Sequence, residues 1–547
     1  MMATPMECHC IPAADVPHTT HLYSTYIDNF PAVAQFYAHP PTVEAVRSVA
    51  RDAHSAISVA GSSESMRRAG AEILRQKNRQ FGSDASVEAS LDRFAAGAAA
   101  IVSGQQVGLF SGPSYTFYKA LSAIRWAEEL SAEGTPAVAL FWLATEDHDL
   151  AEVNHAVWPA REGPVRLELP VQGSAVRRVG EVPLGEGVAG LVERAVGMLE
   201  GLGAEEIGRA LAESYRPGET YGSAFAKLFA RIFAGRGLIL LDPLSAELHR
   251  LAAPVYRAAI EQHAALGHEL AARTNALERD RFHAQVKVTE SSTLLFVNVD
   301  GERLPLRARN EEFLLGRRVF PLPKLLDMLE SSPESFSPNV LLRPIIQDTL
   351  LATSAYVAGP AEVAYFAQAS VVYQQLQVRM PVIIPRASFT LLDAHAVRLL
   401  RKYALEFSDL LKGSQSLRAK MERDLLPRAL TRQFEAGEKK LRKMLEDLRQ
   451  PIAALDSTLA GSLDTAEGKM LYQFANLQGK VGHALSFRSS VLDAHQKELL
   501  GRLYPNAELQ ERSLCLLPML ASYGPQLLDE LTRRIRPGGT QHQVLYL

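Results

Sequence analysis

The stretch "AAAIVSGQQVGLFSGPSYTFYKALSAIRWAEEL" (residues 98–130), followed by "TPAVALFWLAT" (residues 135–145), decides the fold. A short apolar run enters a loop punctuated by Gly104, Gly108 and Gly112. Pro113 then suits the first position of a helix, and apolar residues recur behind it at helical spacing. The second segment is apolar on both faces, the pattern of a strand inside a parallel sheet. Strand, helix, strand is one βαβ unit, whose crossover is almost always right-handed. The fold class is α/β with a parallel-sheet core.

Outward from this unit the rhythm breaks and returns. Residues 1–95 read as mostly helical and polar. Residues near 160–220 read as an insertion of mixed polar segments. The α/β pattern resumes with "GRGLILLDPLSAELHRLAAPVYRAAI", where Asp242 closes an apolar strand. Residues near 280–340 look like a second insertion of antiparallel strands, with Asp300-Gly301 as a hairpin signal. "LLRPIIQDTLLATSAYVAGPAEVAYFAQ" and "PVIIP", running into Arg386, complete a core over 96–390. Over 391–505 the texture is helical. Leu441, Leu445, Leu448, Ile452 and Leu455 make a heptad seam, and Met470, Phe474, Leu477, Val481 and Ala484 start a second. Two such helices joined by a short Gly/Ser loop predict an antiparallel coiled-coil hairpin, an arm for packing or dimerisation. Residues 506–547 return to the core, ending in a short strand "HQVLYL".

Composition narrows the function classes. At 547 residues the chain exceeds one simple core, and two or three structural units are expected. A net charge of −3 gives no global pull toward nucleic acid or anionic membranes. Three cysteines cannot staple a chain of this length, which fits a reducing cytosol. Cys8-His9-Cys10 resembles a metal hook but lacks a second ligand pair. With no signal-peptide pattern at the N-terminus and no run of ~18–20 apolar residues, a soluble cytoplasmic protein is expected.

The chemistry is expected where the strands end. In "FWLATEDHDLAEVNHA" (residues 141–156), an apolar strand stops at Glu146, Asp147, His148, Asp149, Glu152 and His155. Open α/β sheets bind ligands at such strand ends. If Asp147 caps a helix, His148, Glu152 and His155 share one face, which can bind zinc. The alternative is a metal-free polar site in which Asp147 and His148 meet a substrate amine or hydroxyl and Glu152 orients His148. Structural capping is the third reading. The loop holding Gly104, Gln105, Gln106 and Gly112 precedes a helix N-terminus, where backbone N–H groups favour an anion. Its spacing is neither the dinucleotide fingerprint nor the Walker loop. Lys119 follows about two turns into the helix. Arg343, Gln347, Asp348, Gly359, Glu362 and Arg386 are spaced to face the sheet edge, and arginine suits bidentate capture of carboxylate or phosphate. Together they sketch one crevice for an anionic and an aminated ligand.

These motifs resemble a known family. "SGQQVGLFSGPSYTFYKA", "FWLATEDHDLAEVNH", "LLRPIIQDTLLATSAYVAGPAEVAYFAQ" and "MPVIIPRASFTLLD" look like the bacillithiol biosynthesis cysteine-adding enzymes, from about Ala98 to the C-terminus. The resemblance implies a Rossmann-like core similar to nucleotidyltransferases and class I aminoacyl-tRNA synthetases, with connecting-peptide insertions and a coiled coil that builds a homodimer. It implies amide formation between the carboxyl of cysteine and the amine of glucosaminyl-malate. A carboxylate acylates an amine only after activation, so ATP, with or without Mg, is the expected donor, through an adenylate or an acyl phosphate. On this reading Gly104–Gln106 and Gly112 cradle a nucleotide or substrate anion, with Lys119, Asp242, Gln347, Asp348, Gly359 and Glu362 also around the ligands. Asp147 and His148 bind or deprotonate the amine, and Arg343 and Arg386 hold the malate carboxylates. No tightly bound metal is expected. Two other classes stay open: a metal-dependent amidohydrolase or deacetylase using His148, Glu152 and His155, and a nucleotide-binding coiled-coil scaffold.

Overall fold

The computed structural model describes residues 8–52, 64–160, 163–171, 176–289, 291–309, 312–423, 428–486 and 490–547. Five parallel strands form its central sheet, in the order Val382–Pro385, Thr353–Ala358, Ala99–Gln105, Ala137–Leu143, Ile239–Leu241. Counted along the chain and read from the Ile239–Leu241 edge, the order is third, second, first, fourth, fifth. The chain winds to one side of the Ala99–Gln105 strand and then returns to the other. That reversal is the topological switch point of a doubly wound sheet.

Alternate residues of each strand enter two different apolar cores, because successive side chains in a strand point to opposite faces. Ile101, Ala139, Phe141 and Val357 pack with Phe117, Leu121 and Ile124 of the helix Tyr115–Ala132. Val102, Leu140, Trp142 and Tyr356 pack on the other face with Val255 and Tyr256 of Ala246–Glu261 and with Phe366 of Pro360–Gln375. Both faces are covered, which is why these strands are apolar throughout. The helix after the glycine loop begins at Tyr115 rather than at Pro113, with Ser114 as its N-cap.

A second, antiparallel sheet of five strands spans Ser292–Val299, Glu302–Arg309, Glu312–Leu315, Arg318–Pro321 and Phe336–Pro338. Asp300 and Gly301, at φ +53° and +82°, turn its first hairpin, a pairing of left-handed residues that suits the strand twist. This turn sets Arg303 opposite Asn298 in the ladder.

The N-terminal segment departs from the helical expectation at its start. Cys8–Ile11 is a strand, paired antiparallel with the closing strand His542–Tyr546, which runs parallel to Ser388–Leu392. Tertiary pairing thus ties down a terminus whose local sequence carries no strong preference. Cys8-His9-Cys10 is an edge of this small sheet, with the His9 ring 5.4 Å from Tyr546.

The arm consists of Arg428–Leu455 and Ala460–Ser486. Phe434 meets Phe474 at 5.5 Å between ring centroids, and Arg449 meets Asp464 at 2.7 Å. The two seams are only partly covered: Leu445 is buried, as is Leu463 one heptad before Met470, whereas Leu448, Met470 and Leu477 are 44%, 45% and 53% exposed and Leu455 is 86% exposed. The side chain of Ala484 lies outside the described residues. Among the described residues, no helix is long and apolar enough to cross a membrane.

Candidate active site

A cavity of about 790 Å³ opens at the carboxyl ends of the central strands, at the switch point. Its lining includes Gly104, Gln105, Gln106, Lys119, Asp147, His148, Glu152, Arg343, Gly359, Glu362 and Arg386 from the expected site residues. The walls differ in charge.

The cationic wall starts with Lys119, which the helix Tyr115–Ala132 carries back against the strand end at 3% exposure. Its Nζ donates to the Gly104 carbonyl (2.9 Å) and to Gln105 Oε1 (2.8 Å), and pairs with Glu362 Oε2 at 2.5 Å. Burial pulls the ammonium pKa down and Glu362 opposes that pull. Glu362 also accepts from the Gly359 N–H (2.7 Å) and the Tyr356 hydroxyl (2.7 Å), so it caps the helix Pro360–Gln375 while holding Lys119. Arg386 is locked beside it: Nη2 meets Glu511 Oε1 at 2.6 Å and Nη1 donates to the Ala387 carbonyl. Burial pushes the Glu511 carboxyl up, but the Arg386 guanidinium outweighs this and leaves it below the usual carboxylate range.

Arg343 is held differently. Its guanidinium donates to Gln347 Oε1 (2.8 Å) and to the hydroxyls of Tyr365 (3.0 Å) and Tyr356 (3.4 Å), and lies 5.7 Å from the Trp142 ring. These hydrogen-bond partners are neutral. Arg343 thus presents a charge in the crevice that no carboxylate contacts among the described residues.

The acidic wall comes from the loop after Ala137–Leu143. Gln106 Nε2 bridges Asp147 Oδ2 and Glu152 Oε2, each at 2.7 Å, and Asp147 Oδ1 accepts from the His148 N–H. His148 Nδ1 lies 2.9 Å from Arg303 Nη1. Arginine only donates, so this nitrogen accepts and the neutral ring carries its proton on Nε2. Burial lowers the His148 pKa and Arg303 lowers it further. Arg303 itself stacks at 3.8 Å over the Phe296 ring and donates to Ser337 Oγ and the Pro338 carbonyl.

Several expectations are corrected. His148, Glu152 and His155 do not share a helical face. The helix is only Leu150–Val153, Asp149 rather than Asp147 caps it through Glu152 N–H, and His155 opens the strand His155–Trp158. Pairing with Val165–Glu168 takes His155 into a hairpin before a second turn can form. Glu152 does not orient His148, since Arg303 does. Among the described residues, no three His, Cys, Asp or Glu side chains group as a metal site. Gly112 is outside the cavity lining; at φ +66° it lets the loop fold on Gly108, where an added Cβ would come within 3.0 Å of Gly112 Cα. The adjacent Ser114 N–H and Oγ both donate to the Leu514 carbonyl, so the C-terminal segment closes this helix N-terminus. Asp242 is also outside the lining, accepting from Thr145 Oγ1 (2.6 Å) and the Leu244 N–H. Gln347 and Asp348 lie beneath the crevice: Gln347 links Arg343 to Asp348, and Tyr373 donates to Asp348.

Sequence reasoning missed Arg303, Tyr115, Tyr356, Tyr365 and Arg512, which also line the cavity, and the pair His249–Tyr256, which lies beside Glu146 rather than in the lining. The hairpin signal Asp300-Gly301 placed Arg303 two residues past a turn, but nothing local pointed it at His148, 155 positions away.

Similarity to known proteins spans the whole chain. Residues 6–387 match the family "Bacillithiol biosynthesis BshC, N-terminal Rossmann-like domain", and residues 389–547 match its C-terminal coiled-coil domain. A relative from Koribacter versatilis is 39% identical over 98% of this chain and 99% of its own length. Others from Solibacter usitatus and Salinibacter ruber are 37% and 33% identical, over 99% and 100% of this chain and 100% of their own length. Each of the three bears the name "Putative cysteine ligase BshC". With a doubly wound core, a helical arm and end-to-end matches to both domains, the chain belongs to the bacillithiol biosynthesis BshC family.

Proposed function

We propose that this chain is the cytoplasmic ligase that joins cysteine to glucosaminyl-malate, the amide-forming last step of bacillithiol biosynthesis. The observation that carries the reading is the end-to-end likeness to relatives named as cysteine ligases. The crevice has the chemistry such a reaction asks for. One wall offers cations to carboxylates and phosphates, and the other offers carboxylates to an ammonium.

Arg343 is the primary carboxylate anchor for the malate moiety, because its hydrogen-bond partners among the described residues are neutral. Arg386, already paired with Glu511, shapes the wall behind it. Asp147 and Glu152, bridged by Gln106, receive the amine, and His148 offers its Nε2–H as a donor to a substrate oxygen. The strand order supports a core of the nucleotidyltransferase and class I synthetase kind. Gly104, Gln105, Lys119 and Gly359 cluster at the switch point, and buried Lys119 there fits the phosphate end of a nucleotide. ATP, bound there with Mg, supplies the activation that a carboxylate needs before it acylates an amine.

The exposed Leu448, Leu455, Met470 and Leu477 support a homodimer built on an antiparallel arm, since a second copy would cover them.

The deciding experiment incubates the purified protein with cysteine, glucosaminyl-malate and ATP, omitting each in turn, and follows the thiol product by mass spectrometry. Product that needs all three is the expected result. Product without ATP would remove the nucleotide role, and no product from a folded protein would overturn the ligase reading.

A further inference from the structure

Four titratable side chains form the acidic wall, and three are already engaged. Asp147 accepts from Gln106 and the His148 N–H, Glu152 accepts from Gln106, and His148 Nδ1 accepts from Arg303. Glu146 is different. It lines the same cavity at 7% exposure, and its Oε1 makes no hydrogen bond among the described residues. His249 Nε2 lies 3.4 Å from it and likewise has no hydrogen-bond partner among the described residues. His249 is 2% exposed, and its Nδ1 lies 3.0 Å from the Tyr256 hydroxyl, with the two rings stacked at 5.9 Å. A buried carboxylate oxygen left unsatisfied is costly, which favours the neutral, protonated acid on a side chain that lines the cavity.

We infer that Glu146 is the base that takes the proton from the substrate's ammonium, with His249 and Tyr256 as positioning residues behind it. The inference rests on the ligase reading and names the group that makes the amine nucleophilic. The step is a single proton transfer. One N–H bond of the ammonium breaks, its electron pair stays on nitrogen, and the proton goes to a Glu146 carboxylate oxygen. The neutral amine then has the lone pair that attacks the activated cysteine carboxyl.

The surroundings tune Glu146 for this work. Burial pushes its carboxyl up to about 8. Arg303, from the strand Glu302–Arg309, and Arg178 pull it down, whereas Asp242 and Glu181 push it up. Burial pushes His249 down to about 4, so the 3.4 Å contact joins two groups that are neutral near pH 7 and is not an ion pair. Tyr256, above its ordinary range through burial, supplies no charge either. A base with a pKa near the working pH combines a useful ionised fraction with real proton affinity.

The test is the pH–rate profile of the full-length enzyme with cysteine, glucosaminyl-malate and ATP. Wild type should gain kcat as pH rises toward 8. Glu146→Gln should lose this limb and at least 100-fold in kcat, with KM for both substrates within threefold. Tyr256→Phe should shift the limb while retaining most of the plateau rate, which a merely structural role would not do. Asp147→Asn should raise the KM of glucosaminyl-malate and keep the limb. If Glu146→Gln keeps kcat within threefold, or if the limb disappears in Asp147→Asn instead, the inference is overturned. Infrared spectroscopy checks the carboxyl without turnover, since a protonated-acid band titrating near pH 8 should be present in wild type and missing from Glu146→Gln. Its absence in wild type overturns the inference whatever the activity. A wild-type protein that shows the band but makes no amide overturns the ligase reading instead.

Discussion

The crevice and the arm each break the ordinary partition of residues, in opposite directions. Around the crevice, charged side chains are buried: Lys119, Arg386 and Glu511 are 3%, 7% and 1% exposed. On the arm, large apolar side chains face outward, Leu455 at 86% and Leu477 at 53%. Buried charge costs several kcal/mol per ion unless it is paired, so a protein keeps it where fixed dipoles serve chemistry. An apolar stripe along two long helices costs little in one chain and gains most when a second surface covers it. On the proposed reading the contrast separates ligand chemistry from assembly within one polypeptide, and the two halves should respond differently to mutation.

The largest effect is expected in the crevice. Lys119→Met leaves Glu362 in a 16% exposed site without its ammonium, although the Gly359 N–H and Tyr356 hydroxyl still reach it. Breaking one partner out of a buried pair costs about 3–5 kcal/mol. Thermal unfolding should show a Tm lower by many degrees together with lost turnover. An unchanged Tm would mean that the pair is strained and adds nothing to the fold.

Arg343→Lys should act on ligand rather than fold. Its guanidinium reaches Gln347, Tyr356 and Tyr365 in three directions, which an ammonium on a flexible stem cannot reproduce. Calorimetric titration with glucosaminyl-malate should show weakening by about 1.5–3 kcal/mol, the scale of a hydrogen bond to a charged group. If Arg386→Lys weakens that binding more than Arg343→Lys does, the carboxylate anchor has been placed on the wrong arginine.

How much of this was legible follows from distance along the chain. The central strands, the glycine loop and the residues at strand ends were readable because apolar runs and breakers are local signals. The role of each charge was not. Arg386 is set by Glu511, 125 positions away, and His148 by Arg303, 155 positions away, so no window of sequence holds both partners. The zinc-like triad failed for another reason: its spacing assumes two helical turns, and the strand pairing of His155–Trp158 with Val165–Glu168 overrode that period. Asp242 follows a strand, Gly112 lies in the glycine loop, and Gln347 and Asp348 lie on the helix Arg343–Leu351, yet none of the four lines the cavity, a distinction that residue type does not carry.

A gentler test of the crevice is pH. The Glu146 carboxyl is raised from 4.5 to about 8 in the fold. Between those values the folded state binds more protons than the unfolded one, so stability falls as pH rises through the window. His249, lowered from 6.5 to about 4, has the opposite sign and its contribution is complete above pH 6.5. From pH 6.5 to 8 the Glu146 effect therefore stands apart from that of His249. Wild type should lose up to about 2 kcal/mol relative to Glu146→Gln across that interval. Parallel denaturant curves would detect it, and coincident pH dependence would mean that Glu146 is ionised throughout.

The arm should show the smallest effect on folding and the clearest effect on assembly. Leu448 and Leu477, at 44% and 53% exposure, already meet water, so Leu448→Glu with Leu477→Glu removes little buried area from one chain. Exposed substitutions of this kind stay within about 0.5 kcal/mol. In a dimer that covers the stripe, the same two carboxylates would be desolvated without partners, which costs far more. Sedimentation should therefore find the double variant monomeric at concentrations where wild type is paired, with a nearly unchanged far-ultraviolet spectrum and unfolding curve. If the variant stays paired, the stripe is not the contact between copies. If instead its unfolding curve moves as far as that of Lys119→Met, those leucines belong to the fold of a single chain, and the contrast between arm and crevice would no longer be one of assembly against chemistry.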